Sequence, residues 1–327
     1  MKALVLEAYN QPLRLTNIPV PRPGKNEVLV KIQASAVNPL DLKIKHGHAA
    51  HAQTKFPAVL GIDMAGIVEE LGENVSRFKK GDEVYGMTGG VGGIQGSLAE
   101  YAAVDVNLLA LKPTNLSMRE AAALPLAFIT AWEGLVDRAG IQPGKKVLVH
   151  GGAGGVGHIA IQLAKAKGAC VFTTAGKRYH SLVKKYGATP IDYIHEPVME
   201  YIASYTNNEG FDIVMDLVGG SVLDESFTAV KPYSGHVVSI LGWGTHSLAP
   251  LSFRNATYSG VFSLYPLLSG KERQHHGEIL QQATALAEAG KLYPHINSRL
   301  FTLETIDEAY ELMEKHMSGG KLIIDII

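Results

Sequence analysis

The chain has 327 residues, of which 46% are hydrophobic and 19% charged, and its formal net charge is −1. This length exceeds what one hydrophobic core usually serves, so we expect two domains. The near-neutral charge gives no support for binding to nucleic acid or to an anionic membrane surface. The single cysteine, Cys170, excludes an internal disulfide and is typical of a reducing compartment; its apolar surroundings, GACVFTT, predict that it is buried.

The N-terminal sequence MKALVLEAYN has too short an apolar core, and no small-residue cleavage site, for a secretory signal. The longest stretch without Asp, Glu, Lys or Arg, residues 232–253, is interrupted by proline and glycine and does not predict a membrane helix. We therefore expect a cytoplasmic protein.

The first third of the chain contains short strand-like runs separated by the turn signals RPGKNE and FKKGDE. This pattern predicts an antiparallel, barrel-like domain. The runs are KALVLEA, EVLVKIQASAVN, GIDMAGIVEELG, GDEVYGM and AEYAAV.

Helical patterns begin near residue 117. Ser117 and Glu120 have the spacing of a capping box, and Thr130 and Glu133 repeat it before a stop at Gly140. We interpret both pairs as helix starts.

From residue 145 onward, apolar strand-like runs alternate with amphipathic helices. Nearly continuous apolar strands are typical of a parallel sheet with helices on both faces. A further helix is predicted at about 272–289, and the C-terminal sequence TIDEAYELMEKHMSGGKLIIDII predicts a helix and a final strand. Residues 232–270 carry one formal charge, at Arg254, and we expect this segment to be buried on several sides.

A glycine-rich stretch, GGAGGVG at residues 151–157, follows the predicted strand KKVLVHG and precedes a helix that ends at Gly168. Glycines allow the backbone to turn tightly and to approach a pyrophosphate, and the helix start offers free N–H groups. The alternative is a purely structural turn, but the strand–turn–helix order favours dinucleotide binding. Another glycine cluster, residues 88–96, is followed by no helix and is interpreted as a flexible loop.

Two cations follow the second strand of this region. In NAD enzymes of this fold a carboxylate there binds the ribose hydroxyls, whereas NADP enzymes replace it with cations for the 2′-phosphate. Lys177 stands 20 residues after Gly157, Arg178 follows it, and residues 173–178 contain no Asp or Glu. This predicts NADP(H), with NADPH bound at least about ten times more tightly than NADH. The alternative is a solvated helix start.

Together these features resemble the medium-chain dehydrogenase/reductase superfamily, specifically its zinc-free quinone oxidoreductase branch, which includes zeta-crystallin. The segments that carry the resemblance span the chain: AVNPLDLKIKHG (36–47), GIDMAGIVEELGENVSRFKKGDEVYG (61–86), GSLAEYA (96–102), GGAGGVG (151–157), GFDIVMDLVGG (210–220) and SGGKLIIDI (318–326).

The resemblance implies a mixed α/β fold with two domains. A GroES-like, β-rich catalytic domain would comprise residues 1–122 and 266–327, and a Rossmann NADP-binding domain with a doubly wound parallel sheet would comprise 123–265. The active site would lie in the cleft. The last Rossmann strand, 257–265, would pair across a two-fold axis and so form a homodimer.

The resemblance also implies that there is no catalytic zinc. Zinc-dependent relatives have a cysteine where this chain has Asn38 and a His-Glu pair where it has Ile62 and Asp63. An amide and an aliphatic side chain do not provide the thiolate and imidazole that zinc prefers. The three histidines of HGHAAHAQ (46–53) do not have the spacing of the family site, so we interpret them as part of a solvated loop, with adventitious metal binding as the alternative.

Individual roles follow from the matching positions. Asn38 would lie beside the nicotinamide and the acceptor, Asp41 would hold its loop in shape, and Lys43 is the one proton donor that the loop suggests, with a loop salt bridge as its alternative. The other positions implied for the cofactor are Thr130, Ala153, Gly154, Gly155, Val156, Thr174, Gly176, Lys177, Arg178, Tyr193 and Leu241.

The implied activity is zinc-independent hydride transfer from NADPH to a quinone or an α,β-unsaturated carbonyl, since acceptors of these classes need no Lewis acid. The loop after Asn38 lacks the tyrosines of several quinone reductases, which leaves enones and enals as alternatives to quinones. Another alternative is an NADPH-binding protein with little turnover, in the manner of zeta-crystallins. A zinc alcohol dehydrogenase is disfavoured by the missing ligands.

Overall fold

The computed structural model describes residues 1–326. The chain divides into two compact units. Unit 1 contains Met1–Leu126, Leu264–Gly290 and the chain from Pro294 onward, and unit 2 contains Ala127–Ser263 with the short segment Lys291–Tyr293. None of the helices within residues 1–326 has both the length and the apolar character needed to cross a membrane.

The strands are numbered in chain order. From β1 to β16 they are Lys2–Leu6, Arg14–Asn17, Glu27–Ala36, Ala58–Val59, Asp63–Leu71, Glu83–Met87, Tyr101–Asp105, Leu109–Leu111, Lys146–His150, Cys170–Thr174, Thr189–Ile191, Ile213–Asp216, His236–Ser239, Thr257–Gly260, Phe301–Thr302 and Ile323–Asp325.

The α-helices are numbered in the same way. From α1 to α11 they are Pro39–Lys45, Met118–Ala122, Pro125–Trp132, Gly157–Ala166, His180–Lys185, Val198–Thr206, Ser221–Ala229, Ala249–Phe253, Tyr265–Ser269, Arg273–Glu288 and Ile306–Glu314. A π-helix, Glu133–Arg138, continues α3.

Unit 1 is built on a mainly antiparallel sheet in which β3 and β5 are the central strands and only β15 and β16 pair in parallel. The sheet has the order β15-β16-β3-β5-β6-β8, with β7 also paired to β3, and a smaller sheet has the order β2-β1-β4. The C-terminal strand β16 pairs with β3, so the end of the chain completes the sheet that its beginning starts. This arrangement places the starts of β5 and α1 close to the C-terminal tail.

Unit 2 is a parallel sheet of order β11-β10-β9-β12-β13-β14. Taken along the chain from β9, this is the doubly wound order 3-2-1-4-5-6 of dinucleotide-binding domains. The strand order reverses between β9 and β12, and ligands of such sheets bind at the carboxyl ends of the strands at that point. The mixed α/β fold with a GroES-like and a Rossmann part is therefore confirmed.

Several predicted elements are confirmed by the structure, and one helix start is wrong. The hydroxyl of Ser117 accepts a hydrogen bond from the N–H of Glu120, as the capping box requires. Thr130 instead lies within α3, where its Oγ1 is 3.2 Å from Oγ of Ser263, and Ser263 donates to the Glu133 carboxylate at 2.7 Å. Thr130 and Glu133 have the spacing of a capping box, but both side chains contact Ser263, which is distant in sequence, and do not cap a helix. The helix predicted at 272–289 is α10.

Three predictions about burial and strand length are corrected. Cys170 is exposed; it is the first residue of β10, and the apolar residues that follow it in the strand are the ones that are covered. The charge-poor segment 232–270 is only partly buried within one chain; Val237 and Val238 are buried, whereas Tyr233 and Phe253 have exposed fractions of 84% and 88%. The strand predicted at 257–265 ends at Gly260, and residues from Tyr265 begin α9.

Candidate functional site

In unit 2, the turn between β9 and α4 presents backbone donors that the protein itself does not use. The N–H of Gly154 donates to the carbonyl oxygen of Gly151 at 3.0 Å. Within residues 1–326, the N–H groups of Ala153, Gly155 and Val156 donate no hydrogen bond. Free N–H groups at the start of a ten-residue helix form an anion site that suits a pyrophosphate.

The glycines of this turn have separate structural reasons. A Cβ at Gly152 would stand 1.9 Å from Oγ1 of Thr173, and one at Gly157 would stand 2.2 Å from the carbonyl oxygen of Gly151. At Gly154 the nearest atom would be 3.2 Å away. The turn thus requires glycine at 152 in order to lie against β10 and at 157 in order to close on its own backbone, whatever it binds. The unused N–H groups are the stronger sign of a ligand.

Thr174, at the end of β10, joins this turn to its neighbouring strand. Its Oγ1 accepts a hydrogen bond from the N–H of Gly151 at 3.2 Å and lies 3.2 Å from Nδ1 of His150. Thr174 and His150 are both buried. Burial lowers the pKa of His150 to about 4, although the charge of Asp216 acts in the opposite direction, so the imidazole is neutral at physiological pH.

Lys177 and Arg178 follow β10 on a single 3₁₀ turn that begins after Gly176. Both side chains are exposed, and the Arg178 guanidinium lies 4.7 Å from the ring centroid of Tyr179. Among the ion pairs of the described residues, none includes either cation. Two adjacent cations without a carboxylate partner form a site that suits a phosphate.

A carboxylate that sequence reasoning missed lies at the same sheet edge. Asp192 follows β11, which pairs with β10 through Ile191 and Thr174. Its Oδ2 is 2.9 Å from Nδ1 of His195, and this contact is the main reason that the pKa of Asp192 is lowered. The carboxylate of Asp192 is therefore paired with His195. The next residue along the chain, Tyr193, has a side chain that is 58% exposed. The sequence IDYIH shows this acid and its histidine three residues apart. It follows the third strand of unit 2, whereas a carboxylate was looked for after the second strand.

Asp216, which was also not predicted, organises the carboxyl ends of β12 and β13. Its Oδ1 accepts from the N–H groups of Val218 and Gly219 at 3.0 and 2.9 Å. Its Oδ2 accepts from Oγ of Ser239 at 2.7 Å, and Ser239 accepts from the N–H of Leu241 at 3.1 Å. The position of Leu241 thus depends on a buried carboxylate. An acid at the end of the apolar run IVMD, residues 213–216, was the available signal.

In unit 1, Asn38 precedes α1, and Asp41 fixes the backbone at that point. Oδ2 of Asp41 accepts from the N–H of Asn38 at 2.7 Å, and Oδ1 accepts from the N–H of Gly61 at 3.3 Å. Both side chains are buried. Burial raises the pKa of Asp41 to about 7; the charge of nearby Asp63 also raises it, whereas Lys321 and the two backbone donors lower it. The structural role expected for Asp41 agrees with these contacts.

The carboxamide of Asn38 is enclosed by protein partners. Its Nδ2 donates to Oδ2 of Asp63 at 2.9 Å and to the carbonyl oxygen of Ala36 at 3.2 Å. Its Oδ1 accepts from Nζ of Lys321 at 2.5 Å. Lys321 was not among the predicted site residues; a lysine within the apolar C-terminal sequence KLIIDII was the signal.

Asp63 and Lys321 form a buried ion pair around this amide. Nζ of Lys321 is 3.7 Å from Oδ2 of Asp63, while Oδ1 of Asp63 accepts from the N–H of Leu126 at 2.8 Å. Burial raises the pKa of Asp63 and lowers that of Lys321, and the charge of each opposes the shift of the other. Uncompensated buried charges are costly, so each member requires its partner.

These residues do not fit a catalytic zinc. Ile62 has no donor atom, the Asn38 amide is engaged on both sides, and the ammonium of Lys321 already supplies a positive charge beside Asp63. Among residues 1–326 there is no group of three or more His, Cys, Asp or Glu side chains arranged to hold a metal. Of the histidines at 46–53, His46 lies 2.9 Å from the carboxylate of Glu314.

The structure keeps the two predicted catalytic side chains in different surroundings. Asn38 is 3% exposed, whereas Lys43 projects from α1 into solvent. Lys43 lies near His51, whose pKa is lowered by burial and then by the Lys43 charge. The structure thus brings Asn38 together with Asp63 and Lys321 rather than with Lys43.

Comparison with known proteins identifies the family. Residues 24–114 match the family described as "Alcohol dehydrogenase GroES-like domain", and residues 186–324 match "Zinc-binding dehydrogenase". The chain is 37% identical to a 2-methylene-furan-3-one reductase of Solanum lycopersicum, covering 94% of this chain and 74% of that protein. It is 36% identical to the chloroplastic NADPH-dependent alkenal/one oxidoreductase of Arabidopsis thaliana, covering 99% and 79%.

Solved structures give the same result. An alcohol dehydrogenase superfamily protein from Novosphingobium aromaticivorans has 52% identity and a TM-score of 0.98, with 100% of both chains covered. The quinone oxidoreductase from Coxiella burnetii has 33% identity and a TM-score of 0.85, covering 100% of this chain and 99% of that one. The chain therefore belongs to the medium-chain dehydrogenase/reductase superfamily, in its quinone oxidoreductase branch, and is an oxidoreductase with a nicotinamide cofactor site.

Proposed function

We propose that this protein is an NADPH-dependent reductase of α,β-unsaturated carbonyl compounds or quinones. The observation that carries the cofactor assignment is the pair of exposed cations, Lys177 and Arg178, for which no carboxylate partner exists among residues 1–326. They follow the strand next to a turn in which three N–H groups have no acceptor among the same residues. The relatives named as a 2-methylene-furan-3-one reductase and an alkenal/one oxidoreductase support enones and enals as acceptors. A relative named quinone oxidoreductase, from Homo sapiens, is 32% identical and supports quinones.

The side chains at Asn38, Ile62 and Asp63 support a conjugated carbonyl or a quinone as the hydride acceptor. Because Asn38, Ile62 and Asp63 do not form a zinc site, an isolated ketone would lack a Lewis acid to polarise it. A conjugated carbonyl or a quinone is already electron-poor and accepts hydride without one. The reaction is therefore proposed to be zinc-independent.

The chain contributes binding, orientation and charge. The free N–H groups of Ala153, Gly155 and Val156 would hold the pyrophosphate, and Lys177 with Arg178 would hold the 2′-phosphate. NADPH supplies the hydride when bound. The acceptor also needs one proton, for which Lys43, exposed on α1, is the donor we propose from the chain and solvent is the alternative.

The remaining predicted positions complete the proposed cofactor site. The side chains at the end of β10 and after β11 would meet the adenosine half, and the residues of α3 and the β13 end would meet the nicotinamide half, as would Asn38. These further positions are Thr130, Gly154, Thr174, Gly176, Tyr193 and Leu241.

We also propose a homodimer formed through β14. This strand lies at the end of the parallel sheet, where within residues 1–326 its outer edge pairs with no other strand. The charge-poor surface around it exposes Tyr233 and Phe253, with exposed fractions of 84% and 88%. A second copy would pair the strand edge and cover this apolar surface.

The experiment is an acceptor screen with purified protein. NADPH or NADH oxidation is followed with a 2-alkenal, a cyclic enone and a 1,4-benzoquinone, with a saturated aldehyde and ketone as matched controls, before and after treatment with a chelator. We expect turnover of a conjugated acceptor with NADPH, little turnover of the saturated controls, and no effect of the chelator.

Two other results would contradict the proposal. Tight NADPH binding without oxidation by any acceptor would indicate a binding protein with little turnover. Reduction of saturated ketones that is lost on chelation and restored by zinc would indicate a metal-dependent dehydrogenase. Equal dissociation constants for NADPH and NADH would contradict the cofactor assignment alone.

A further inference from the structure

The orientation of the Asn38 carboxamide is fixed by partners whose hydrogen-bonding roles are unambiguous. An ammonium can only donate, so Lys321 must face Oδ1, and a carbonyl can only accept, so Ala36 must face Nδ2. Asp63 accepts the other N–H. Oxygen and nitrogen of an amide often cannot be distinguished by shape, but here the surrounding chemistry distinguishes them.

This arrangement leaves Asn38 without a donor for a ligand. Both N–H groups of Nδ2 are directed to protein acceptors, at 2.9 and 3.2 Å. Oδ1 can accept two hydrogen bonds, and Lys321 donates one of them. The N–H of Asp41 also faces this side chain in a capping box, but it donates its 3.0 Å hydrogen bond to the main-chain carbonyl oxygen of Asn38. The one capacity that remains on this side chain is therefore that of an acceptor.

We propose that Lys321 is a positioning residue that holds the Asn38 carboxamide with its NH₂ group turned into the protein, so that Asn38 meets the bound nicotinamide as a hydrogen-bond acceptor. The donor it would meet is the N–H of the nicotinamide carboxamide, and the carbonyl oxygen of the substrate would receive no hydrogen bond from Asn38. This inference rests on the proposed function, because it concerns the same cofactor and the same residue.

The buried charges explain why a lysine is needed for this purpose. Lys321 is 7% exposed and Asp63 is fully buried. Without the ammonium, the amide would lose the contact that selects its oxygen, and Asp63 would keep only neutral donors. The carboxamide would then keep only its NH₂ contacts to Ala36 and Asp63, and no partner would hold the position of its oxygen.

A double-mutant cycle tests whether Lys321 acts through Asn38. In the wild-type background we expect Lys321→Met to lower kcat/KM for the best acceptor by about tenfold to a hundredfold, the ratio for one hydrogen bond to a charged group. In an Asn38→Ala background the same change should lower it by less than about twofold, because the residue it positions is absent. Equal losses in both backgrounds, or no loss in the wild-type background, overturn the proposal.

Lys112 offers a matched control in the same unit. It is also a buried lysine, 8% exposed, and its Nζ donates to the carbonyl oxygens of Pro113 and Leu116 and pairs with Glu83 at 3.1 Å. We expect Lys112→Met to lower the thermal midpoint while kcat/KM stays within about twofold of wild type. If it reduced kcat/KM as strongly as Lys321→Met does, the effect of Lys321 would be one of stability only, which overturns the proposal.

A measurement on the wild-type protein does not depend on turnover or on a folded variant. With asparagine-selective ¹⁵N labelling, the side-chain N–H groups of Asn38 should exchange with solvent at least about tenfold more slowly than those of Asn207, which is exposed. Exchange as fast as at Asn207 overturns the proposal. If no acceptor is reduced but the Asn38 amide is protected, the proposed function fails and the positioning of Asn38 by its neighbours stands.

Discussion

The hydroxyl of Tyr85 donates a 2.7 Å hydrogen bond to the main-chain carbonyl oxygen of Leu280, 195 residues further along the chain. Tyr85 belongs to β6 and is fully buried, and Leu280 belongs to α10. The same hydroxyl lies 3.0 Å from Oγ1 of Thr284. One phenol thus links the N-terminal sheet of unit 1 to a helix that the chain reaches only after it has completed most of unit 2.

Tyr85→Phe should destabilise unit 1 with no change of shape. We expect a loss of about 1 kcal/mol, because one buried hydrogen bond is removed while the ring remains. For a unit of this size that corresponds to a fall of about 2–4 °C in the thermal midpoint. Tyr265→Phe is the control, since that side chain is 51% exposed; equal midpoints for the two variants would contradict the expectation.

Much of unit 2 could be predicted from the sequence because its signals are local. The apolar run before residue 151, the glycine turn and the cations at 177 and 178 all occur between residues 145 and 178, in the order that the fold requires. The prediction of a dinucleotide-binding turn could therefore rest on local order alone. The spacing did not predict the role of Asp216, because its partner Ser239 lies on a different strand.

The site in unit 1 could be predicted only in part because its contacts are long-range. Asn38 was found by its resemblance to the family, but its partner Lys321 lies 283 residues away and meets it only because β16 pairs with β3. No local pattern encodes such a pair. The error at Thr130 has the same origin, since Ser263, 133 residues further on, binds the side chain that was expected to cap a helix.

Replacing Lys177 and Arg178 together by serine should change the preference between the two coenzymes. We expect the NADPH dissociation constant to rise by at least about tenfold, because two charge-assisted contacts to a phosphate are lost at an exposed site. NADH, which lacks that phosphate, should bind within about twofold of wild type. Calorimetric titration with both coenzymes measures the change.

The matched control for this charge change is close by. Lys184 and Lys185 are exposed on α5 and can be replaced by serine with the same loss of two charges. This variant should keep the wild-type NADPH affinity to within about twofold. If both double variants weakened NADPH equally, the effect would be one of general charge and not of a phosphate site.

Gly260→Pro should separate the proposed dimer. The N–H groups of Thr257 and Val261 donate to the carbonyl oxygens of Gly235 and Ser239, on the β13 side, so by alternation the N–H of Gly260 faces the outer edge of the sheet. A Cβ there would meet no atom within 4 Å, so the monomer should tolerate the change. Light scattering should show the mass of one chain for this variant and of two for wild type.

A second variant tests the apolar surface beside that edge. Phe253→Ser should also weaken the dimer, because this side chain is 88% exposed in one chain and would be covered in two. Leu300→Ser is the control, a 70% exposed apolar side chain in unit 1 that should leave the mass unchanged. A wild-type protein that is monomeric at all concentrations would remove the basis for the dimer.

Asp41 should make unit 1 less stable as the pH rises. Its pKa is raised from 3.8 to about 7, so between these values the folded carboxyl keeps a proton that the unfolded chain releases. Stability then falls by at most about 1.4 kcal/mol for each pH unit up to about pH 7, and changes little above it. Asp41→Asn removes this dependence. The thermal midpoint of the variant should therefore rise relative to that of wild type as the pH increases from 4 to 7. For the control Asp307→Asn, at an exposed site, the difference in thermal midpoint from wild type should stay constant over the same pH range.

His150 should have the opposite effect in unit 2. Its pKa is lowered from 6.5 to about 4, chiefly by burial, so between these values the unfolded chain binds a proton that the folded imidazole does not. Stability is therefore lost as the pH falls below about 6.5, by at most about 1.4 kcal/mol for each pH unit. Nε2 of His150 is buried and has no hydrogen-bond partner among the described residues, so protonation there would leave a charge without an acceptor.

His150→Leu tests this directly. At pH 7.5 the variant should be within about 1 kcal/mol of wild type, because the lost contact to Thr174 and the removal of an unsatisfied Nε2 act in opposite directions. As the pH falls from 6.5 to 4, the variant should become progressively more stable than wild type. His48→Gln, at an exposed site, should show no such gain. Thermal midpoints that change with pH in the same way for wild type and His150→Leu would show that the buried imidazole is protonated at little cost.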